Sequence, residues 1–208
     1  ETQKLFASFS VGNSAPNRFD LINNPNPKSE QLYNTEIQYL YRTNKFLIST
    51  GLYYMDYRDQ LVPTGELNDV GAGIRTNVDK SYRLGLEVIS KINIDPIIWN
   101  FNLNISDNKI NSFNEYIDNW EGGQEIVNHE KTTIAFSPSL IASSSIDWQI
   151  FKTKKRSWNL NFDSKYVSRQ FLDNTNNEDR ELPGYTAHDL TFSVSSKKNK
   201  NKFSNKKF

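Results

Sequence analysis

The chain has 208 residues, with 25 Lys and Arg against 24 Asp and Glu for a net charge of +1, and no cysteine. Disulfides and thiolate chemistry are therefore excluded, and the near-zero charge gives no global field that would call for nucleic acid. Apolar residues make up only 36% of the chain while aromatics reach 13%, a balance that is odd for a soluble core and natural for a barrel wall with a wet interior. In chain order, residues 4–11 alternate Leu5, Ala7, Phe9 and Val11 with Phe6, Ser8 and Ser10, the period of two that predicts a strand. Residues 13–31 carry Asn, Pro, Ser and Asp without a period and read as a loop. Residues 32–42 alternate again, through Tyr33, Thr35, Ile37, Tyr39 and Tyr41, and a tight turn is expected at Thr43-Asn44. Residues 45–57 bring Phe46, Ile48, Thr50, Leu52 and Tyr54 to one face.

Residues 59–80 are long and rich in Gly and Asn, with 60–62 and 73–78 able to pair as a projecting hairpin across Asn68-Asp69. Residues 81–105 give the clearest pattern in the chain: Tyr82, Leu84, Leu86, Val88 and Ile92, then Ile97, Trp99, Phe101, Leu103 and Ile105. Asp95-Pro96 interrupts it, and proline suits a turn better than a ladder, so two long antiparallel strands are predicted there. Residues 107–131 read as a second long polar loop. Residues 138–151 alternate through Leu140, Ala142, Ile146, Trp148 and Ile150, a basic turn follows at 152–156, and 158–167 alternate through Trp158, Leu160, Phe162 and Tyr166. An acidic, Asn-rich loop at 173–183 leads to a last strand at 185–195, and the Lys/Asn-rich stretch 197–208 reads as a frayed end.

Two regularities join these strands. Connections alternate long and short, the rhythm of a membrane barrel with tight turns on one side and long loops on the other. Charges keep to one face: Glu36, Arg42, Lys45, Arg83, Glu87, Lys91, Asp147, Asp163, Lys165 and Asp189 all oppose the apolar stripe, as lipid would enforce at a cost of about 2–4 kcal/mol for a midplane Lys or Arg. Most segments reach the roughly 9–11 residues of a tilted spanning strand, beyond the about 5–6 of a typical soluble one. Tyr41, Tyr54, Tyr82, Trp99, Trp148, Trp158 and Tyr166 at strand ends fit interfacial girdles. Alternation alone is symmetric, however, and a soluble sheet packed on one side would show it equally. No window approaches the roughly 18 apolar residues of a spanning helix. The opening ETQKLFASFS is not a signal peptide, and we expect the chain to be a fragment whose export signal lies outside it.

Particular residues add to the pattern. The run from Phe9 to Arg18 (FSVGNSAPNR), the Pro27-Lys28-Ser29-Glu30 and Tyr33-Asn34-Thr35-Glu36 pair, the blocks from Tyr53 to Leu61 and from Asn77 to Glu87, and Leu182-Pro183-Gly184-Tyr185-Thr186-Ala187-His188-Asp189-Leu190 resemble, in order, segments of TonB-dependent outer-membrane receptors. The resemblance implies an all-β, transmembrane, antiparallel up-and-down β-barrel of twenty-two strands with a plug. This chain would supply about eight of those strands, over residues 1–196, without the plug. It also implies a Gram-negative outer-membrane location and active uptake of a nutrient or metal-chelate ligand, a ferric siderophore first among them. The TonB system would act through the absent plug, and the wall would face outer-membrane lipid. The stretch 197–207 departs from the family's aromatic closing strand, although Phe208 is terminal. A passive porin-like or adhesin barrel and a soluble β-sandwich binding module remain as alternatives.

Candidate chemistry is sparse. His129 and His188 are the only histidines and are far apart, short of a metal-ligand set. The acidic run 173–179 lacks the glycine and closing glutamate of a calcium loop, and Ser143–Ser145 sit in no nucleophile motif. No cofactor and no enzyme activity are expected. A nucleic-acid role for the Lys-rich end is less favoured than a frayed polar tail. The long loops would catch the ligand, with Arg75 as a cation for an anionic chelate and Tyr116 and Trp120 as stacking aromatics. Packing of loop on loop is the commoner use of such side chains.

Overall fold

In the computed structural model, residues 1–68, 70–71, 73–119 and 121–196 are described; Trp120 and the 197–208 end lie outside them. In chain order the elements are β1 (Thr2–Ser14), α1 (Arg18–Asn23), β2 (Glu30–Arg42), β3 (Phe46–Leu67), β4 (Gly73–Ile94), β5 (Ile97–Asp118), β6 (Gln124–Thr133), β7 (Leu140–Lys152), β8 (Arg156–Val167), β9 (Gln170–Phe171), a 3₁₀ turn (Glu178–Arg180), β10 (Glu181–Leu182) and β11 (Tyr185–Ser196). One antiparallel sheet runs β1-β2-β3-β4-β5-β7-β8-β11, with β6 added against β5. Each wall strand thus pairs with the next one in the chain, the up-and-down order expected. The sheet does not close: β1 and β11 each keep one edge without a partner strand among the described residues.

The predicted faces hold in register. Leu52 stands opposite Leu86 and Leu86 opposite Ile105. No layer among the described residues covers this stripe: Leu52 is 56% exposed, Leu84 47% and Leu190 68%. The opposite face carries polar rows. Lys91 faces Asn100, Asn100 faces Ser145, Ser145 faces Asp163 and Asp163 faces Asp189. Short side-chain bonds stitch that face across strands: Asn104 Nδ2 donates to Glu87 at 3.3 Å, Asn161 Nδ2 to Asp147 at 3.0 Å and Gln38 Nε2 to Ser49 Oγ at 2.9 Å. Leu84 and Leu190 stand exposed on the oily side, which argues against two sheets packed with their greasy faces together. Several charges depart from the expected partition at the ends of the stripe. Asp107 stands opposite Leu84 and accepts from the Tyr82 hydroxyl at 2.7 Å. Asp56 follows the apolar parity, between Tyr33 and Tyr82. It sits where the stripe ends and is neutralised by Arg58 at 2.7 Å.

The hydrophobic core lies beyond the wall. β3, β4 and β5 are 22 residues each, whereas β1, β2 and β7 have 13 and β8 and β11 have 12. A tilted spanning strand needs only about 9–11 residues, so roughly half of each long strand projects past the wall. Val62, Val78, Ile110, Phe113 and Ile134 form the buried cluster there. The projecting hairpin expected from 60–62 and 73–78 is present, with Gln60 opposite Val78 and Leu61 opposite Asn77. The expectation of a polar loop over 107–131 is corrected: β5 continues to Asp118 and turns back as β6. Its apolar residues Ile110, Phe113 and Ile117 are spaced by three and four, because a strand that has left the wall no longer separates oil from water residue by residue. The loop read over 13–31 likewise contains α1.

Candidate ligand-binding surface

Every long connection emerges at the same end of the sheet, and side-chain bonds tie these connections into one surface. α1 begins at a capping box: Asp20 N donates to Asn17 Oδ1 and Asn17 N to Asp20 Oδ2, both at 2.9 Å. The same Asp20 carboxylate, fully buried, takes Arg75 of β4 in a bidentate pair, Nε to Oδ1 at 2.9 Å and Nη2 to Oδ2. Arg75's hydrogen bonds, supported by the Asn17 amide, hold the Asp20 carboxyl below its ordinary pKa against the opposing effect of burial. Asn24 Nδ2 adds a bond to the Arg75 carbonyl at 2.9 Å. The segment between α1 and β2 is fixed to the same hairpin: Lys28 Nζ pairs with Asp59 at 3.1 Å and Lys28 N donates to Asn77 Oδ1 at 2.8 Å.

The connection from β8 to β11 docks from the other side. Asn174 Oδ1 accepts from Ala135 N at 2.8 Å while its Nδ2 donates to the Pro63 carbonyl at 3.2 Å, and Asn176 Oδ1 accepts from Thr133 N at 2.8 Å. Arg180 bridges Asp173 at 2.9 Å and Glu115 at 3.7 Å, and Glu115 in turn meets His129 Nε2 at 2.8 Å. His129 stacks on Phe113 with ring centroids 5.2 Å apart. Burial pushes the Asp173 carboxyl up, but Arg180 and Thr175 outweigh it and hold it below its usual range.

Between the β3–β4 and β5–β6 hairpins lies an open groove of about 300 Å³. Ladder pairing of β4 with β5 ends at Ser81 opposite Ile110, and the two hairpins diverge beyond it. They meet again at Gly65, whose φ of +82° suits glycine and whose missing Cβ leaves room for the Tyr116 carbonyl oxygen. Thr64 and Thr76, hydroxyls 2.9 Å apart, line it together with Asp79, Ser112, Asn114, Tyr116 and Asn128. Burial and the nearby Glu66 carboxylate push the Tyr116 phenol up, and burial pushes the Glu66 carboxyl up as well.

Of the residues singled out in the sequence, Tyr116 lines the groove. Arg75 lies in β4, engaged by Asp20, where it anchors α1. Trp120 lies outside the described residues. Asp79, Ser112, Asn114 and Asn128 were not anticipated. Among the described residues no three His, Cys, Asp or Glu side chains cluster as metal ligands.

Comparison with protein-family models gives the decisive observation: the model described as TonB dependent receptor-like, beta-barrel, matches residues 1–203. The chain belongs to the TonB-dependent receptor β-barrel family. It is thus a portion of a Gram-negative outer-membrane barrel from a family of receptors and transporters, not enzymes. Solved structures agree on the fold. The ferric yersiniabactin uptake receptor FyuA from Yersinia pestis superposes with a TM-score of 0.62 at 16% identity, over 93% of this chain and 27% of that one. The copper transporter OprC gives 0.66 at 13% identity, over 90% and 28%. The ferric enterobactin receptor PfeA from Pseudomonas aeruginosa gives 0.58 at 19% identity, over 91% and 30%. This chain therefore spans less than a third of the length of those receptors. Comparison with curated protein sequences gives no match.

Proposed function

We propose that this chain forms wall and extracellular ligand-catching surface of a receptor that actively imports a nutrient complex, a ferric siderophore in first place. The single observation that carries this reading is the projection. Three wall strands extend well past the thickness they must span, and they hold their own core. An extension of that kind is unnecessary for a wall alone and suited to presenting binding residues above a bore. In this reading the apolar stripe meets outer-membrane lipid, and the polar rows line a hydrated interior in which a plug, supplied elsewhere in the receptor, sits and is pulled by TonB. The free edges of β1 and β11 are paired by the remaining strands, since lipid cannot satisfy open backbone groups. FyuA and PfeA are named for ferric chelates and OprC for copper, which supports a metal cargo for the present receptor.

The test is uptake by cells that carry or lack the gene encoding the full receptor. With TonB present, the carrying cells should accumulate radioiron from a supplied ferric siderophore, and an uncoupler should abolish the difference. Uptake that persists unchanged with the uncoupler would instead indicate a passive barrel.

A further inference from the structure

Resting on the reading that this projecting surface catches the cargo, we propose that the groove between the two hairpins takes an uncharged or singly cationic ligand rich in hydroxyl and carbonyl groups, and turns away polyanionic chelates. None of the ten residues that line it is a cation, and one, Asp79, is a carboxylate. Asp79 makes no ion pair among the described residues, so its charge remains available to a ligand. Glu66 adds a second carboxylate beside Tyr116.

Three cations of the surrounding connections are already engaged: Arg75 by Asp20, Lys28 by Asp59, and Arg180 by Asp173 and Glu115. A polyanion seated here would meet negative charge with no opposing guanidinium to offset its desolvation.

What the groove does offer is two-way hydrogen bonding. Ser112, Asn114 and Asn128 stand exposed, with Asn128 Nδ2 donating to Asn114 Oδ1 at 3.0 Å, and each amide can both donate and accept. The Thr64 and Thr76 hydroxyls bond to each other and retain further acceptor sites. Tyr116 supplies an aromatic surface among these polar groups. A neutral ferric trihydroxamate and a neutral oligosaccharide share the complementary chemistry: carbonyl or hydroxyl oxygens on a body with apolar faces.

The experiment is equilibrium binding to the purified full-length receptor in detergent micelles. Three probes are used: a neutral ferric trihydroxamate, a trianionic ferric triscatecholate and a neutral maltooligosaccharide. The wild type should bind one of the neutral probes and prefer it to the triscatecholate. Asn128→Lys, at an exposed site, should narrow that preference by about two- to five-fold, the span of one exposed charge interaction. Asp79→Asn should shift it in the same direction, which guards against a local disturbance by the lysine. Tighter binding of the triscatecholate by the wild type, unmoved by either substitution, overturns this inference and leaves siderophore uptake standing. Binding of the maltooligosaccharide alone upholds the groove chemistry and removes the siderophore reading. Binding of none of the three overturns both.

Discussion

Replacing Asp20 with alanine removes two supports of α1 at once. The first is the reciprocal half of the capping box, the bond from Asn17 N to the Asp20 carboxylate. Asp20 N still donates to Asn17 Oδ1, so the loss falls at the low end of the about 0.5–2 kcal/mol that a whole N-cap is worth. The second is the pair with Arg75. Breaking a buried ion pair costs about 3–5 kcal/mol, but the Arg75 side chain is 36% exposed, so water recovers part of that loss and we take about 1–2 kcal/mol for it. The two together destabilise the docking of α1 by about 1.5–2.5 kcal/mol. The barrel itself will not report this change, because none of these residues belongs to the wall. Amide hydrogen exchange of residues 17–24 in the full-length receptor will. The bonds from Leu21 N to the Asn17 carbonyl (3.0 Å) and from Asn24 N to the Asp20 carbonyl (2.8 Å) should open about 10- to 60-fold more often, at tenfold per 1.4 kcal/mol. Leu21→Ser, on the exposed side of the same helix, is the control and should change exchange little. Unaltered exchange in Asp20→Ala, or equal acceleration in the control, would refute the argument that this pair fastens the helix.

Other outcomes follow from the same geometry. Gly65→Ala must either strain a positive φ, at about 1 kcal/mol or more, or push the β3–β4 tip away from Tyr116; proteolysis of that tip should quicken and ligand affinity should fall. Arg180→Ala should release the β8–β11 connection from Glu115 and loosen its internal tie to Asp173, seen as faster exchange across 173–182 with the wall unchanged. Because the Asp173 carboxyl is held below its ordinary pKa, its stabilising contribution is present above the unfolded value near about 4 and is lost as pH falls through the depressed folded value. Docking of this connection should thus be unaffected between neutrality and mild acid and should weaken only under strong acid. Leu86→Arg, further into the lipid-side stripe between Leu52 and Ile105, should destabilise refolding into bilayers by about 2–4 kcal/mol, whereas Glu87→Arg, on the wet side, should leave it nearly unchanged.

The wall strands were legible because a strand between oil and water must alternate residue by residue. Phe101 and Asn102 carry that information in their own side chains. The projection was legible only in part. The β3–β4 hairpin showed itself through Gln60–Val62 and Gly73–Val78, but β6 did not, because Val127, His129 and their neighbours face loops, not lipid, and follow no two-residue period. α1 had a local signal, Asn17 followed three residues later by Asp20, the spacing of a capping box, hidden in a stretch dense with loop residues. What no local pattern contains is pairing over distance. Asp20 and Arg75 are 55 residues apart, and the expectation of Arg75 as a cation for the ligand took no account of a buried carboxylate waiting for it. Asp79 and Asn128 likewise become groove residues only when two hairpins are placed side by side.

Nitroxide accessibility in the full-length receptor, reconstituted in bilayers, tests the face assignment most directly. Single cysteines are introduced at Leu84, Trp99 and Phe162 on one face and at Glu87, Asn102 and Lys165 on the other, and each is spin-labelled. Labels at the first three should relax with dissolved oxygen, which concentrates in acyl chains, and resist a water-soluble nickel chelate; labels at the second three should show the reverse or be shielded from both. Oxygen-accessible labels at Glu87, Asn102 and Lys165, with Leu84 and Phe162 closed to oxygen, would contradict the assignment and the transport function built on it.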